Sequence, residues 1–336
     1  MTMDAYREHR RASGAAKSRA MALLAEGTHA ARIEAARLLH DAAERELAAL
    51  ESLDAPPAAA RASVLAEVCG CYLEGGDPVW ASIRWGELTH AYQQTDAATT
   101  TPVETAYSEL KARLDEQISR LQRLLDGIPE PIRRVTQASG FGALDAGERQ
   151  TLDRQLHAIL TAFPGLSHVW VVSSLVAHHA GDDDRAWRDI EHAVALRPYL
   201  DRAHPLGVAL HYVAEGRPGP TARDDLLDHV YAERASLPVD VLLAFVLAEL
   251  RPQGSAARLA RAEAALNLAR AQAPASSQWA RFVEAAGELL RARLEDRDVG
   301  HQPLYRAGLG FHARRDRSTL DTLVELTAPA APVLAA

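Results

Sequence analysis

The chain has 336 residues, enough for two or three domains or for one extended repeat array. Hydrophobic residues make up 48% of it and charged residues 24%, which excludes a wholly disordered chain. Aromatics are only 5% and alanine is abundant, a balance that favours close-packed helices over sheets built from β-branched and aromatic strands. The formal charge of −8 repels polyphosphate, so no nucleic-acid partner is expected. Lys17 and Lys111 are the only lysines among 37 basic residues, which reads as a coding bias towards arginine and alanine rather than a chemical requirement. No apolar run reaches the ~18 residues of a membrane span, and residues 1–19 carry charges without a hydrophobic signal core. The expectation is a cytoplasmic protein with no membrane partner.

In chain order, residues 4–25 read as a basic, partly amphipathic helix carrying Arg7, Arg10, Arg11, Lys17 and Arg19 and stopped at Gly27. Its charges suit ion pairs with Glu34, Glu44 and Glu46 on the next helix. An acidic partner or an anionic membrane surface is the sharper alternative. Thr28 is a fitting N-cap for a helix to about Leu53, stopped by Pro56 and Pro57. Apolar spacing resumes over Ala58 to Leu73, breaks at Gly75-Gly76-Asp77-Pro78 and continues from Val79 to about Tyr92, which predicts a helical hairpin. Pro102 is expected to open a longer helix with Leu110, Leu114, Ile118, Leu121 and Leu125 on one stripe.

Pro129, Pro131 and the cluster Ser139-Gly140-Phe141-Gly142 mark a boundary. The expected division is a helical region over 1–128, a linker over 129–144, a helical array over 145–326 and a flexible tail over 327–336. Within the array, Asp145 caps a helix to Ala162, and breaks at Gly181-Asp182, Pro198, Gly216 to Pro220, Pro238 and Gly254 imply paired helices. Residues 276–294 read as another helix, and 318–326 as a last short one.

Self-similarity is the most informative signal. Residues 167–198 carry Trp170, Ser174, Ala177, Gly181-Asp182, Ala186, Ile190, Ala193 and Pro198. Small residues at Ser174 and Ala186 let two antiparallel helices touch, and Trp170 and Ile190 fill the gaps to neighbours. A second copy over residues 62–95 places Leu65, Cys69, Tyr72, Gly76-Asp77, Ala81, Trp85 and Leu88 in the same order and spacing. A partial copy, Ala262, Leu266, Ala269 and Pro274, repeats the second half, and Ala209, Tyr212 and Gly216 mark a degenerate unit. At these positions the chain resembles the tetratricopeptide repeat. The resemblance implies an all-α fold, an α-α superhelix of antiparallel hairpins, and a concave surface lined by the first helix of each pair that holds a segment of a partner protein.

Carried onto this sequence, that surface is formed by His168, Val171, Val172, Leu175, His178 and His179 and continues through Leu206 and Leu210. Its apolar lining suits an amphipathic helix or a segment of the protein's own chain. Residues 304–326, with Leu304, Tyr305, Leu309, Phe311, Leu320, Leu323 and Leu326, are expected either to cap the array or to enter the groove. The resulting expectation is a non-enzymatic scaffold, adaptor or regulatory subunit with no catalytic residues, metal or cofactor. One alternative is a metal protein or enzyme using His178, His179 and Asp182. Another is a structural subunit that self-assembles as a homo-oligomer.

The remaining chemical signals are weak. Cys69 and Cys71 have no second pair to complete a zinc site or a disulfide framework, and their side chains diverge by about 200° on a helix. Arg185 with His192, and Arg197 with His204, show a spacing found in some helical ribonucleases. Glu87 with His90 is half of a di-iron motif whose companion is absent. Phosphate-binding glycine loops, a nucleophile elbow and a His-Glu-x-x-His helix are missing from the sequence.

Overall fold

The computed structural model describes residues 3–95, 100–128, 144–197, 205–214, 220–250, 255–273 and 278–295. These residues form thirteen α-helices and a 3-10 turn, with no strand among them, so the fold is all-α. The helices are α1 (Met3–Glu26), α2 (His29–Glu51), α3 (Ala58–Glu74), α4 (Pro78–Gln93), α5 (Thr100–Asp126), α6 (Ala146–Ala162) and α7 (Ser167–His179). They continue with α8 (Asp183–Leu196), α9 (Pro205–Ala214), α10 (Pro220–Glu233), α11 (Val239–Glu249), α12 (Ala256–Gln272) and α13 (Gln278–Leu294).

Most ends follow from local chemistry. Gly27 takes the left-handed conformation at φ 72° after α1, and the Thr28 hydroxyl accepts from the Ala31 amide at 3.1 Å to start α2. At α6, Asp145 and Glu148 form a reciprocal capping box, each side chain accepting from the other's backbone amide at 2.8–2.9 Å. Helix α5 begins at Thr100, ahead of Pro102, because first-turn amides have no helical acceptor and a proline there forfeits no bond. The expected helix over 318–326, the tail and all of the linker except Leu144 lie outside the described residues.

The described residues group into two compact units, one of 3–128 with 150–169 and one of 144–149 with 170–295. In the first, α1 packs along α2, α2 along α3 and α3 along α4, while α5 rests on α3 and α4. Alanines at the crossings, among them Ala20, Ala35, Ala42, Ala62 and Ala81, are fully buried and let backbones approach, while Leu39, Leu65 and Tyr72 fill the space between. In the second unit α11 is central, packing against α9, α10, α12 and α13 with Val241, Leu242, Phe245 and Val246 fully buried. Buried Glu249 at its end is held by Arg258 at 2.7 Å and Arg261 at 2.8 Å, which compensates a charge that would otherwise be costly.

The hairpins α3–α4 and α7–α8 agree residue by residue at a constant offset that carries Ala62 onto Ser167. Gly76 and Gly181 both take positive φ, 73° and 81°. The next amide, Asp77 or Asp182, donates back to Tyr72 or Ala177 at 2.8 and 3.0 Å. The same aspartates cap the second helix, accepting from the amides of Trp80 at 3.0 Å and Arg185 at 3.2 Å. At the crossing, the Cys69 thiol donates to the Ala81 carbonyl at 3.7 Å, and the Ser174 hydroxyl to the Ala186 carbonyl at 2.7 Å. Expected as two rods joined at Gly181, residues 167–196 form that hairpin. The correspondence extends to the third helix, where Tyr107 on α5 and Tyr212 on α9 occupy equivalent positions.

The two turns differ in their surroundings. A Cβ at Gly76 would lie 2.8 Å from Pro164 Cδ and 3.2 Å from Phe163 Cα, whereas nothing lies within 4 Å of one at Gly181. Beside Gly76, a Cβ at Gly165 would meet the Gly75 carbonyl at 2.5 Å, so two backbones cross with no room for a side chain. Gly181→Ala is expected to cost about 1–2 kcal/mol for the left-handed conformation alone. Gly76→Ala should cost a further ~1–3 kcal/mol for overpacking. Urea unfolding followed by circular dichroism measures the difference.

Candidate functional site

Six of the eight residues of the surface inferred from the sequence are buried. His168, Val171, Val172 and Leu175 on α7 and Leu206 and Leu210 on α9 are all buried, at 5% exposure or less. Leu206 and Leu210 belong to the core around α11. His178 is half-buried and His179 exposed. Their rings are 5.3 Å apart, and that of His178 lies 5.1 Å from Tyr212. These are therefore core residues with a histidine edge, and the expectation of an open lining is corrected. Helix α7 is apolar on several sides at once, and its periodicity does not distinguish a covered face from an open one.

The equivalent face of the first hairpin is open. Displaced by the same offset, His168, Val171, Val172, Leu175 and His179 become Ser63, Ala66, Glu67, Gly70 and Glu74, and these five line a groove of about 530 Å³. Its floor and far wall are Cys71, Leu88, Tyr107 and Leu110, and its remaining edges carry Lys17 from α1 and Arg113 from α5. Short side chains make the opening: Ala66 and Gly70 stand where the second hairpin has Val171 and Leu175. A Cβ at Gly70 would have nothing within 4 Å. Tyr107 is fixed by rings on two sides, Trp85 at 4.3 Å and Tyr92 at 4.7 Å, and shares a hydrogen bond of 3.0 Å with Thr89.

The α1 wall is held by charge. Glu46, buried on α2, accepts from Ser13 at 2.7 Å, from Lys17 at 2.9 Å and from Arg10. Glu67 accepts two bonds from Arg10, at 3.0 and 3.1 Å, and one from Lys17 at 2.8 Å. Burial pushes the Glu67 carboxyl up, but the hydrogen bonds from Arg10 and Lys17 together outweigh it and hold the group below the ordinary carboxylate value. Burial likewise opposes the Lys17 charge, and its bonds to Glu67 and Glu46 still raise its pKa. Across the groove, Arg113 meets Glu74 at 3.7 Å with both side chains well exposed.

Cys69 and Cys71 are both free and buried. Cys69 faces Ala81 on α4 and Cys71 faces the groove, the divergence expected of two residues separated by one on a helix. Burial pushes each thiol up to about 12, so neither forms a reactive thiolate near neutral pH.

The other candidate residues make the following contacts. Asp182 is the N-cap of α8, and among the described residues no group of three or more His, Cys, Asp or Glu is gathered as metal ligands. Arg185 pairs with Asp189 at 3.5 Å and donates to Ser173 at 3.0 Å, while His192 packs on Trp170 at 4.9 Å. His204 lies outside the described residues. Glu87 receives Arg84 at 2.6 Å and His90 contacts Gln94 at 3.0 Å. The basic residues of α1 make the expected ion pairs, Arg10 and Lys17 to Glu46 and Arg19 to Glu34. Glu44 departs from that pattern and receives the Tyr72 hydroxyl at 2.8 Å. Among the described residues no helix is long and apolar enough to cross a membrane.

The sequence reading missed Ser63, Ala66, Glu67, Gly70 and Glu74, although the constant offset between the two hairpins, applied to the α7 candidates, would have found them. Nothing local marks Lys17, Tyr107, Leu110 or Arg113, which reach the groove from distant helices. No protein-family model, curated protein or solved structure matches this chain.

Because the folded-state Glu67 value lies below its ordinary 4.5, its ion pairs add stability above about pH 4.5 and lose it as the pH falls through the lower folded value. Chemical denaturation between about pH 3 and 7 should show a steeper acid decline for the native protein than for Glu67→Gln. The variant should be the less stable of the two at pH 7, with the gap closing in acid.

Proposed function

We propose that this chain is a non-enzymatic scaffold of tetratricopeptide-like hairpins, and that it captures a segment of a partner protein in the groove along α3. The observation that carries this is the pairing of one hairpin design with two outer faces, buried at Val171 and Leu175 in α7 and open at Ala66 and Gly70 in α3. A groove of about 530 Å³ lies in the range that encloses a few side chains or a drug-sized molecule, so the fitting partner element is a short helix or peptide. Its apolar floor supplies affinity and its charged rim supplies orientation. In this proposal the hairpins are turns of an α-α superhelix working in a reducing, cytoplasmic compartment, where two unpaired buried thiols persist.

Gly70→Phe tests the site, because the added ring enters open space. Circular dichroism and the unfolding midpoint should stay close to those of the native protein. A partner captured from an extract of the source cells should bind the variant at least tenfold more weakly. Equal capture by both proteins would remove the α3 face from consideration. Val172→Asp and Leu175→Asp, by contrast, bury an unpaired carboxylate and should cost several kcal/mol of stability, read as lost helicity on mild heating.

A further inference from the structure

We infer that the groove along α3 receives an amphipathic α-helix of about three turns, which sets an apolar ridge over Ala66 and Gly70 and brings a carboxylate on its flank to Arg113. This rests on the groove being the docking site and names the chemistry of the partner segment. Backbone bonding, size and charge each restrict the occupant.

The lining residues all lie within helices α1, α3, α4 and α5, where amides and carbonyls are bonded along the helix. At the C-terminal end of α3, the carbonyls of Cys71, Tyr72 and Leu73 are taken by the Gly75, Asp77 and Gly76 amides at 2.8–3.2 Å. The Gln117 side chain donates to Leu73 as well, at 3.2 Å. The groove therefore offers an incoming backbone no ladder to join. An extended segment would bury amides and carbonyls without partners, which opposes binding. A helix arrives with its backbone bonds already made, so only its side chains need partners.

Size sets the length. The α3 residues that line the groove run from Ser63 to Glu74, about 16 Å of helix axis. A helix lying along α3 covers that distance in about three turns, presenting apolar side chains at i, i+3 or i+4, and i+7. The trough accepts such a ridge at Ala66 and Gly70, one turn apart, with nothing within 4 Å of a Cβ at Gly70. Leu88, Tyr107 and Leu110 give the ridge an apolar floor and wall.

Charge sets the flank. On the α1 edge Lys17 is already engaged, with Glu46 at 2.9 Å and Glu67 at 2.8 Å. On the α5 edge Arg113 has Glu74 at 3.7 Å, beyond hydrogen-bond distance, with both side chains well exposed. A guanidinium carries five N–H donors and is weakly hydrated, so covering it favours a carboxylate partner. One guanidinium already serves two carboxylates in this protein, Arg10 with Glu46 and Glu67. Arg113 can serve Glu74 and an incoming Asp or Glu in the same way.

The test selects ligands for the immobilised full chain from a displayed library of random peptides about four helical turns long. Enriched peptides should carry apolar residues at helical spacing with an Asp or Glu beside the ridge. They should bind Gly70→Phe at least tenfold more weakly than the native protein, with the circular dichroism spectrum of the variant retained. A proline in the middle of the ridge should abolish binding. Replacing the peptide's acid by Lys, or making Arg113→Glu, should each weaken binding about tenfold, and combining the two should restore most of it. Peptides that fail on Gly70→Phe but show alternating apolar spacing, or tolerate the central proline, overturn the helix and leave the docking site standing. Unchanged binding to Arg113→Glu overturns the carboxylate assignment. Peptides that bind Gly70→Phe as well as the native protein remove the docking site and the inference with it, and a library that yields no ligand overturns the inference. Self-association in sedimentation that is lost in Gly70→Phe overturns it in favour of a second copy of the chain.

Discussion

Antiparallel helices touch most closely where one small side chain from each meets, and in this chain that contact recurs at equivalent positions of two hairpins. The Cys69 thiol reaches the Ala81 carbonyl and the Ser174 hydroxyl reaches the Ala186 carbonyl, each at the point where a hairpin folds on itself. A larger side chain at any of the four positions would separate the helices and lengthen the turn. The turn is already at its limit, with a left-handed glycine followed by an aspartate whose amide points back and whose carboxylate points forward. The hairpin is thus one rigid element, and what varies between its copies is the side facing away from the crossing.

That freedom explains why one design yields both a core and a groove. The inner positions must stay small whatever the hairpin does, but Val171 and Leu175 can be shortened to Ala66 and Gly70 without disturbing the crossing. Shortening removes apolar contact worth roughly 0.8 kcal/mol per buried methylene, so a groove has a cost in stability that the rest of the unit must offset. The first unit does so with interlocked alanine-rich crossings on α1 to α4, and with the close backbone passage of Gly165 against Gly75.

Helix boundaries were legible in the sequence because they depend on residues a few positions apart. Thr28, Asp145 and Asp182 each satisfy the amide three residues on, and the glycine turns follow from backbone sterics. The hairpin register was legible for a similar reason, since small residues and Gly-Asp pairs recur at fixed spacing. Burial of an outer face was not legible. His168, Val171 and Leu175 looked like a lining because α7 is apolar on several sides, and helical periodicity carries no record of which of those sides is covered. The Glu46 network escaped notice in part for the same reason: the expected ion pair with α1 formed, but its second carboxylate, Glu67, sits on a third helix.

That network also bears on how sharply the groove is defined. Exposed ion pairs contribute little to stability, and a buried pair often gains nothing over well-packed apolar residues. Its influence lies in what it forbids. Sliding α1 by one turn along α2 and α3, about 5.4 Å, would leave buried Glu46 without Ser13, Lys17 and Arg10, and an uncompensated charge of that kind costs about 3–5 kcal/mol. An apolar α1 would slide at far lower cost, because alanine faces are nearly alike at each turn. Lys17 is both a member of the network and the α1 edge of the groove, so the charges that fix the register of α1 also fix the width of the opening that Ala66 and Gly70 create.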